Sequence, residues 1–216
     1  MIALPIRKNM ETITVMPTRG MIYAQTIEGL RNNNLDGFLT IEGLGIPDAQ
    51  NEAVRRALEE YSSYVLFIED DVVMPDGALE RMIKMDKAIV AVDYPMENGY
   101  STICKKGDEI QWCAIGCTLI KTGVLRNMPK PIFDTSYSWL IKSTDPLELE
   151  RSSNPYKYGG ADINFCIKAR EMGYEIAQLE GFEAKHLRHK KGRTESNQGT
   201  YGVYALPEIT KYQHYK

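Results

Sequence analysis

The run Tyr64-Val65-Leu66-Phe67-Ile68-Glu69-Asp70-Asp71-Val72-Val73 constrains this chain more than any other segment. Its first five residues, β-branched and aromatic ones among them, read as a fully buried strand. The strand leads directly into three consecutive carboxylates. Clustered carboxylates repel one another and resist desolvation, so this ending does not serve stability. A hard cation relieves the repulsion, and Mn²⁺ or Mg²⁺ takes oxygen ligands. In open α/β sheets, ligands gather at the carboxyl ends of strands. The triplet therefore reads as a metal and phosphate site. The competing reading is a solvated strand-to-loop turn, where Asp is common.

The rest of the chain alternates strand and helix signals. Thr12–Met16 reads as a short strand stopped by Pro17-Thr18-Arg19-Gly20, with a helix from about Met21 to Asn32. Gly37–Ile41 is a second strand. Asp48 is placed to cap a helix whose Ala53, Val54, Ala57, Leu58 and Tyr61 form one apolar face. Pro75-Asp76 opens another helix, and Ala88–Val92 is a buried strand. This order predicts an α/β fold with a mainly parallel sheet flanked by helices. Beyond it, Tyr100–Lys105 and Glu109–Ala114 suggest a hairpin around Lys106-Gly107-Asp108. Gly116–Ile120 reads as strand, with Thr122 capping a short helix. Met128 to Tyr158 reads as one long irregular loop, and loops of that length are usually functional or mobile. Gly159-Gly160-Ala161-Asp162 precedes a helix ended by Gly173, and Tyr174–Leu179 is the last strand. The expected organisation is one 216-residue domain. Residues 1–98 carry the regular alternation, and 99–190 are more irregular. Residues 188–216 would be a basic, flexible tail.

Composition narrows the class. A content of 43% hydrophobic and 25% charged residues supports a full core. A net charge of −3 gives no general pull toward nucleic acid. No apolar stretch approaches the roughly 20 residues that span a bilayer. The first residues lack the basic start and apolar core of a signal peptide. Cys104, Cys113, Cys117 and Cys166 form no CxxC pair, which argues against zinc and suits buried thiols in a reducing cytoplasm.

Four segments, in this order, resemble the GT-A glycosyltransferases, and in particular the large family 2 of nucleotide-sugar enzymes. Pro17-Thr18-Arg19 is similar to the family's first base-binding turn. Phe67-Ile68-Glu69-Asp70-Asp71-Val72 is similar to its DxD motif, here Glu69-x-Asp71. Trp112 to Ile120, with Gly116 inside it, resembles the small-residue segment beneath the donor sugar. Gly160-Ala161-Asp162-Ile163-Asn164-Phe165, followed by Gly173-Tyr174, resembles the acidic helix start and aromatic helix. His186 falls where such enzymes often carry a late metal-binding histidine. Two departures stand out. Ile41-Glu42-Gly43-Leu44 replaces the usual Asp-Asp-Gly-Ser, leaving Glu42 or Asp48 to substitute in base recognition. Ala161 replaces an acidic residue, leaving Asp162 alone at that helix start.

The resemblance implies a metal-dependent transfer of a sugar from a nucleotide-diphosphate donor, a UDP-sugar by expectation, to an acceptor hydroxyl, with residues 1–98 as a nucleotide-binding half and 99–190 as an acceptor and catalytic half. The acceptor class stays open among a glycan, a protein glycan and a modified nucleic-acid base. Mn²⁺ or Mg²⁺ would neutralise the leaving diphosphate. Asp71 would ligate it, with His186 completing the set. Glu69 would join them or instead orient the donor ribose or a metal-bound water. Pro17, Thr18, Arg19, Glu42, Glu69, Asp70 and Gly116 would line the donor site. Arg188 and Lys191, in the basic cluster after His186, would close over the diphosphate. Asp162 would be the general base of an inverting reaction. Each assignment has a plainer counterpart. His186 reads equally as a surface histidine, Asp162 as a helix cap, and the basic cluster as a solvated charge run. Tyr137, Trp139, Tyr156 and Tyr158 suit an acceptor groove or a core cover alike. A nucleotidyltransferase and a non-catalytic nucleotide-sugar or carbohydrate-binding module remain the alternatives. The compact length suits a small bacterial or viral enzyme acting in the cytoplasm, the host's if viral.

Overall fold

The computed structural model describes residues 10–95, 101–135, 137–141, 149–153 and 160–187, with 137–141 and 149–153 as backbone. The first half runs β1 (Thr12–Thr18), α1 (Ala24–Asn32), β2 (Gly37–Glu42), α2 (Asp48–Ala57), β3 (Tyr64–Ile68), β4 (Val72–Val73), α3 (Ala78–Lys84) and β5 (Ile89–Asp93). The second half adds β6 (Ile103–Lys106), β7 (Glu109–Cys113), β8 (Cys117–Lys121), α4 (Thr122–Asn127), β9 (Tyr137–Ile141), β10 (Leu149–Ser153), α5 (Ala161–Glu171), β11 (Ile176–Glu183) and β12 (Lys185–His186).

Six strands form one sheet in the order β11-β5-β8-β3-β1-β2. β1 pairs in parallel with β2 and β3, and β5 pairs in parallel with β11. The alternation of side chains along each strand separates two cores. Ile13, Val15, Val65, Phe67, Ile89 and Ala91 pack with Ala53 and Val54 of α2, Leu125 of α4 and Phe165 of α5. Met16, Leu66, Ile68, Val90, Val92 and Leu119 pack with Leu30 of α1 and Leu79 and Met82 of α3. A three-layer α/β fold results, because strands apolar on both faces must be covered on both. Among the described residues, no helix is long and apolar enough to cross a membrane.

Several boundaries differ from the sequence reading. β1 continues through Pro17 to Thr18. Pro17 lacks a donor, but the segment still registers with Ile41 of β2. α1 begins at Ala24 rather than Met21, because the chain first crosses back to Asp70, whose carbonyl accepts the Tyr23 N–H. Neither expected cap forms. Pro47 occupies the N-cap of α2 and Lys121 that of α4, so Asp48 and Thr122 fall inside the first turns. The expected loop from Met128 to Tyr158 contains the β9–β10 hairpin, with Trp139 opposite Arg151. The parallel sheet also contains one reversal: β8 lies antiparallel between β3 and β5. That reversal brings the entry of β8 beside the exit of β3.

Candidate metal and donor site

The acidic triplet lies where β3 leaves the sheet, and its three side chains diverge. Asp70 turns toward the end of β1. Thr18 Oγ1 donates to Asp70 Oδ2 at 2.7 Å, and the Arg19 N–H reaches the same oxygen at 3.4 Å. Thr26 Oγ1 donates to the Asp70 carbonyl at 3.1 Å. Burial pushes the Asp70 carboxyl above the ordinary range, opposed by the Thr18 hydrogen bond. Asp70 thereby ties the Pro17-Thr18-Arg19 turn to the triplet. Glu42 ends β2 opposite Thr18, exposed at the same sheet edge.

Glu69 and Asp71 face the other way. One ligand atom each from Glu69, Asp71 and His186 lie within 4.8 Å of one another. His186 Nε2 is 3.2 Å from Asp71 Oδ2, and its side chain is only 9% exposed. It is therefore not a surface histidine. The route is short: β12 pairs antiparallel with β4, His186 opposite Val72, and the Leu187 N–H donates to the Asp71 carbonyl at 2.7 Å. The ring also meets Tyr94 edge-on, with centroids 5.6 Å apart and planes at 88°. Two carboxylates and an imidazole form a mixed oxygen–nitrogen set, which fits Mn²⁺ better than Mg²⁺.

Gly116 forms the floor between this trio and the rest of the site. Its carbonyl accepts the Glu69 N–H at 2.9 Å, and its own N–H donates to Tyr94 Oη at 3.0 Å. A Cβ here would lie 2.3 Å from Tyr94 Oη and 2.8 Å from Glu69 Oε2. No side chain larger than hydrogen fits. Tyr94 is fully buried at the end of β5, and burial pushes its phenol far above the ordinary value, so it stays neutral. The sequence reading missed Tyr94, although the strand-exit argument made for β3 applies equally to β5.

Asp162 lies on the other side of the same backbone segment. Its Oδ2 accepts the Ile115 N–H at 3.1 Å, and its Oδ1 accepts Gln50 Nε2 at 2.9 Å. It is not a cap: Gly160, at φ +75°, holds the N-cap position of α5, and no side chain bonds there. Burial pushes the Asp162 carboxyl up, while the Gln50 and Ile115 hydrogen bonds oppose the shift. The metal-type trio and this carboxylate thus flank one dipeptide, Ile115-Gly116. Arg188, Lys191, Tyr156 and Tyr158 lie outside the described residues, as does the expected tail.

No protein-family model matches the chain, and no curated protein matches it. Solved structures do. A197 from STIV aligns with a TM-score of 0.61 at 17% identity, over 83% of this chain and 86% of that one. The mannosyltransferase PcManGT from Pyrobaculum calidifontis, solved in complex with GDP-Man and Mn²⁺, aligns with a TM-score of 0.50 at 11% identity. That match covers 86% of this chain and 59% of the mannosyltransferase. The likeness is one of fold: the central, largely parallel sheet and its flanking helices are those of the GT-A-like proteins.

Proposed function

We propose that this protein is a metal-dependent glycosyltransferase that moves a sugar from a nucleotide-diphosphate donor to an acceptor hydroxyl. The observation that carries the reading is the convergence of Glu69, Asp71 and His186 at the exit of β3, across Ile115-Gly116 from Asp162. A divalent cation held by the trio would supply positive charge against the diphosphate leaving group. Thr18, Arg19 and the clamped Asp70 shape the turn that faces the donor nucleotide. Gly116 lets the donor sugar approach the backbone closely. Asp162 takes the proton from the acceptor hydroxyl as that oxygen attacks the anomeric carbon. Its burial makes it a stronger base than a solvated Asp, closer to what a base working near neutral pH requires. A base on a residue separate from the donor-side carboxylates suits inversion. The binding of GDP-Man and Mn²⁺ by PcManGT supports a nucleotide-sugar and a metal for this fold.

The test is a thermal-shift screen of UDP- and GDP-sugars, with and without Mn²⁺, followed by assay of nucleotide release. A metal-dependent rise in melting temperature with one donor, and turnover of that donor, is expected. Stabilisation without release in the presence of broad acceptor mixtures would mark a binding module. No stabilisation by any donor would reject the reading.

A further inference from the structure

Gln50 is a polar side chain in an apolar place. It is 5% exposed, in the first turn of α2, beside Ala49, Ala53 and Val54. A buried amide costs free energy unless both of its ends are bonded. Nε2 donates to Asp162 Oδ1 at 2.9 Å, yet Oε1 has no hydrogen-bond partner among the described residues. Leucine or methionine would fill this position without orphaning an acceptor. The contact that explains an amide here is the one to Asp162.

That contact completes a two-point grip. The Ile115 N–H holds Oδ2 and Gln50 holds Oδ1, so the carboxylate cannot rotate without losing both. Among the described residues, the other titratable groups facing Asp162 are Tyr94 from the end of β5 and Cys113 from β7, and Glu69 acts on Tyr94 in turn. Burial keeps the Tyr94 phenol neutral, and the Cys166 contact together with burial does the same for the Cys113 thiol, so neither offers a countercharge. Among the described residues it is the two hydrogen bonds, rather than a cation, that oppose the burial of this carboxyl.

We infer that Gln50 is a positioning residue for the base: its amide N–H fixes the rotation of Asp162 and holds it ionised to accept a proton. The inference rests on the reading of Asp162 as the base. It predicts that Gln50→Met raises the titration midpoint of Asp162 by roughly one pH unit or more. The acid limb of kcat/KM should move by the same amount, with donor KM unchanged. In an Asp162→Asn background, which has no carboxyl to titrate at that position, Gln50→Met should leave the pH dependence of any residual transfer unchanged. The midpoint is read in the full chain by NMR of ¹³Cγ-labelled Asp, independently of activity. An unmoved midpoint overturns the inference even if transfer is robust. A moved midpoint in a protein that turns over no nucleotide-sugar sustains the grip and removes its catalytic purpose, so the two failures are distinct. Should Gln50→Met not fold, Gln50→Glu is isosteric. It should place two carboxyls in one site sharing a proton, one titrating well above the ordinary range. Two ordinary titrations would overturn the inference equally.

Discussion

Three residues make the sharpest tests. Asp71 shares the trio with Glu69 and His186, so Asp71→Asn removes both a charge and a ligand. Mn²⁺-dependent donor binding should vanish by calorimetry while the melting temperature holds. Gly116→Ala should push on Glu69 and Tyr94 at once. It is expected to cost about 1–3 kcal/mol of stability in denaturant titration, and to weaken metal-dependent donor binding. Asp162→Asn should leave donor binding intact and lower transfer by roughly 10²-fold or more. Its effect on stability has a definite sign. The Asp162 carboxyl is raised above 3.8 in the folded protein, so the fold binds this proton more tightly than the unfolded chain does. Its favourable contribution is complete below that ordinary value and is lost as pH rises through the folded one. Asparagine does not titrate, and its Nδ2 can donate to Oε1 of Gln50, which has no partner among the described residues, once that amide turns over. The variant should therefore gain on the wild type as pH rises, with a melting temperature at neutral pH no lower than the parent's. A marked drop there would make Asp162 structural.

Among the elements, the β4–β12 ribbon does most to build the site, and it is only two residues wide. It carries His186 to Asp71 across 115 positions of sequence. Leu187→Pro deletes the N–H that bonds the Asp71 carbonyl, while leaving residue 186 in the extended conformation that a following proline favours. Metal affinity should fall roughly tenfold or more, against a stability loss of about 1 kcal/mol. Equal affinities would show that His186 needs no such strut. The elements also show which features are local. Tyr64–Ile68 declares itself because five consecutive residues prefer a buried strand. The direction of Cys117–Lys121 does not, because side-chain alternation is the same in parallel and antiparallel strands. Caps at Asp48 and Thr122 were misjudged because a cap depends on the backbone of the residue before the helix, which no residue type fixes alone. Gln50 was hidden inside an apolar helix face and needed a partner 112 residues away to acquire meaning. His186 was legible only through resemblance, since nothing in its neighbours marks the register with Val72.

At the scale of the whole molecule, the site rests on a packed aromatic centre. Phe67 leans on Phe133 with ring centroids 5.6 Å apart, and Phe133 stacks on Phe165 at 5.0 Å. All three rings are at most 1% exposed. Phe67→Ala should cost about 3–5 kcal/mol in denaturant unfolding, and a loss under about 1 kcal/mol would mean that the centre can collapse. The four cysteines are buried thiols, and burial pushes the Cys117 thiol up to about 12. Reaction with a thiol reagent should accordingly track global unfolding rather than local access. The placement of β11, late in the described chain and at one edge of the sheet, has a further consequence, concerning when the protein becomes competent. A ribosome emits β1, β2 and β3 before the rest of this sheet, and β1 pairs with both of the others. The acids at 69–71 thus exist early, but the carboxylate at 162 and the imidazole at 186 emerge much later. β5 gains its outer neighbour only when residues 176–183 arrive. A nascent chain therefore carries a half-built sheet with no working centre until its final described segment docks. Ligand capture by ribosome-bound chains of increasing length should switch on in a single late step, not accumulate gradually.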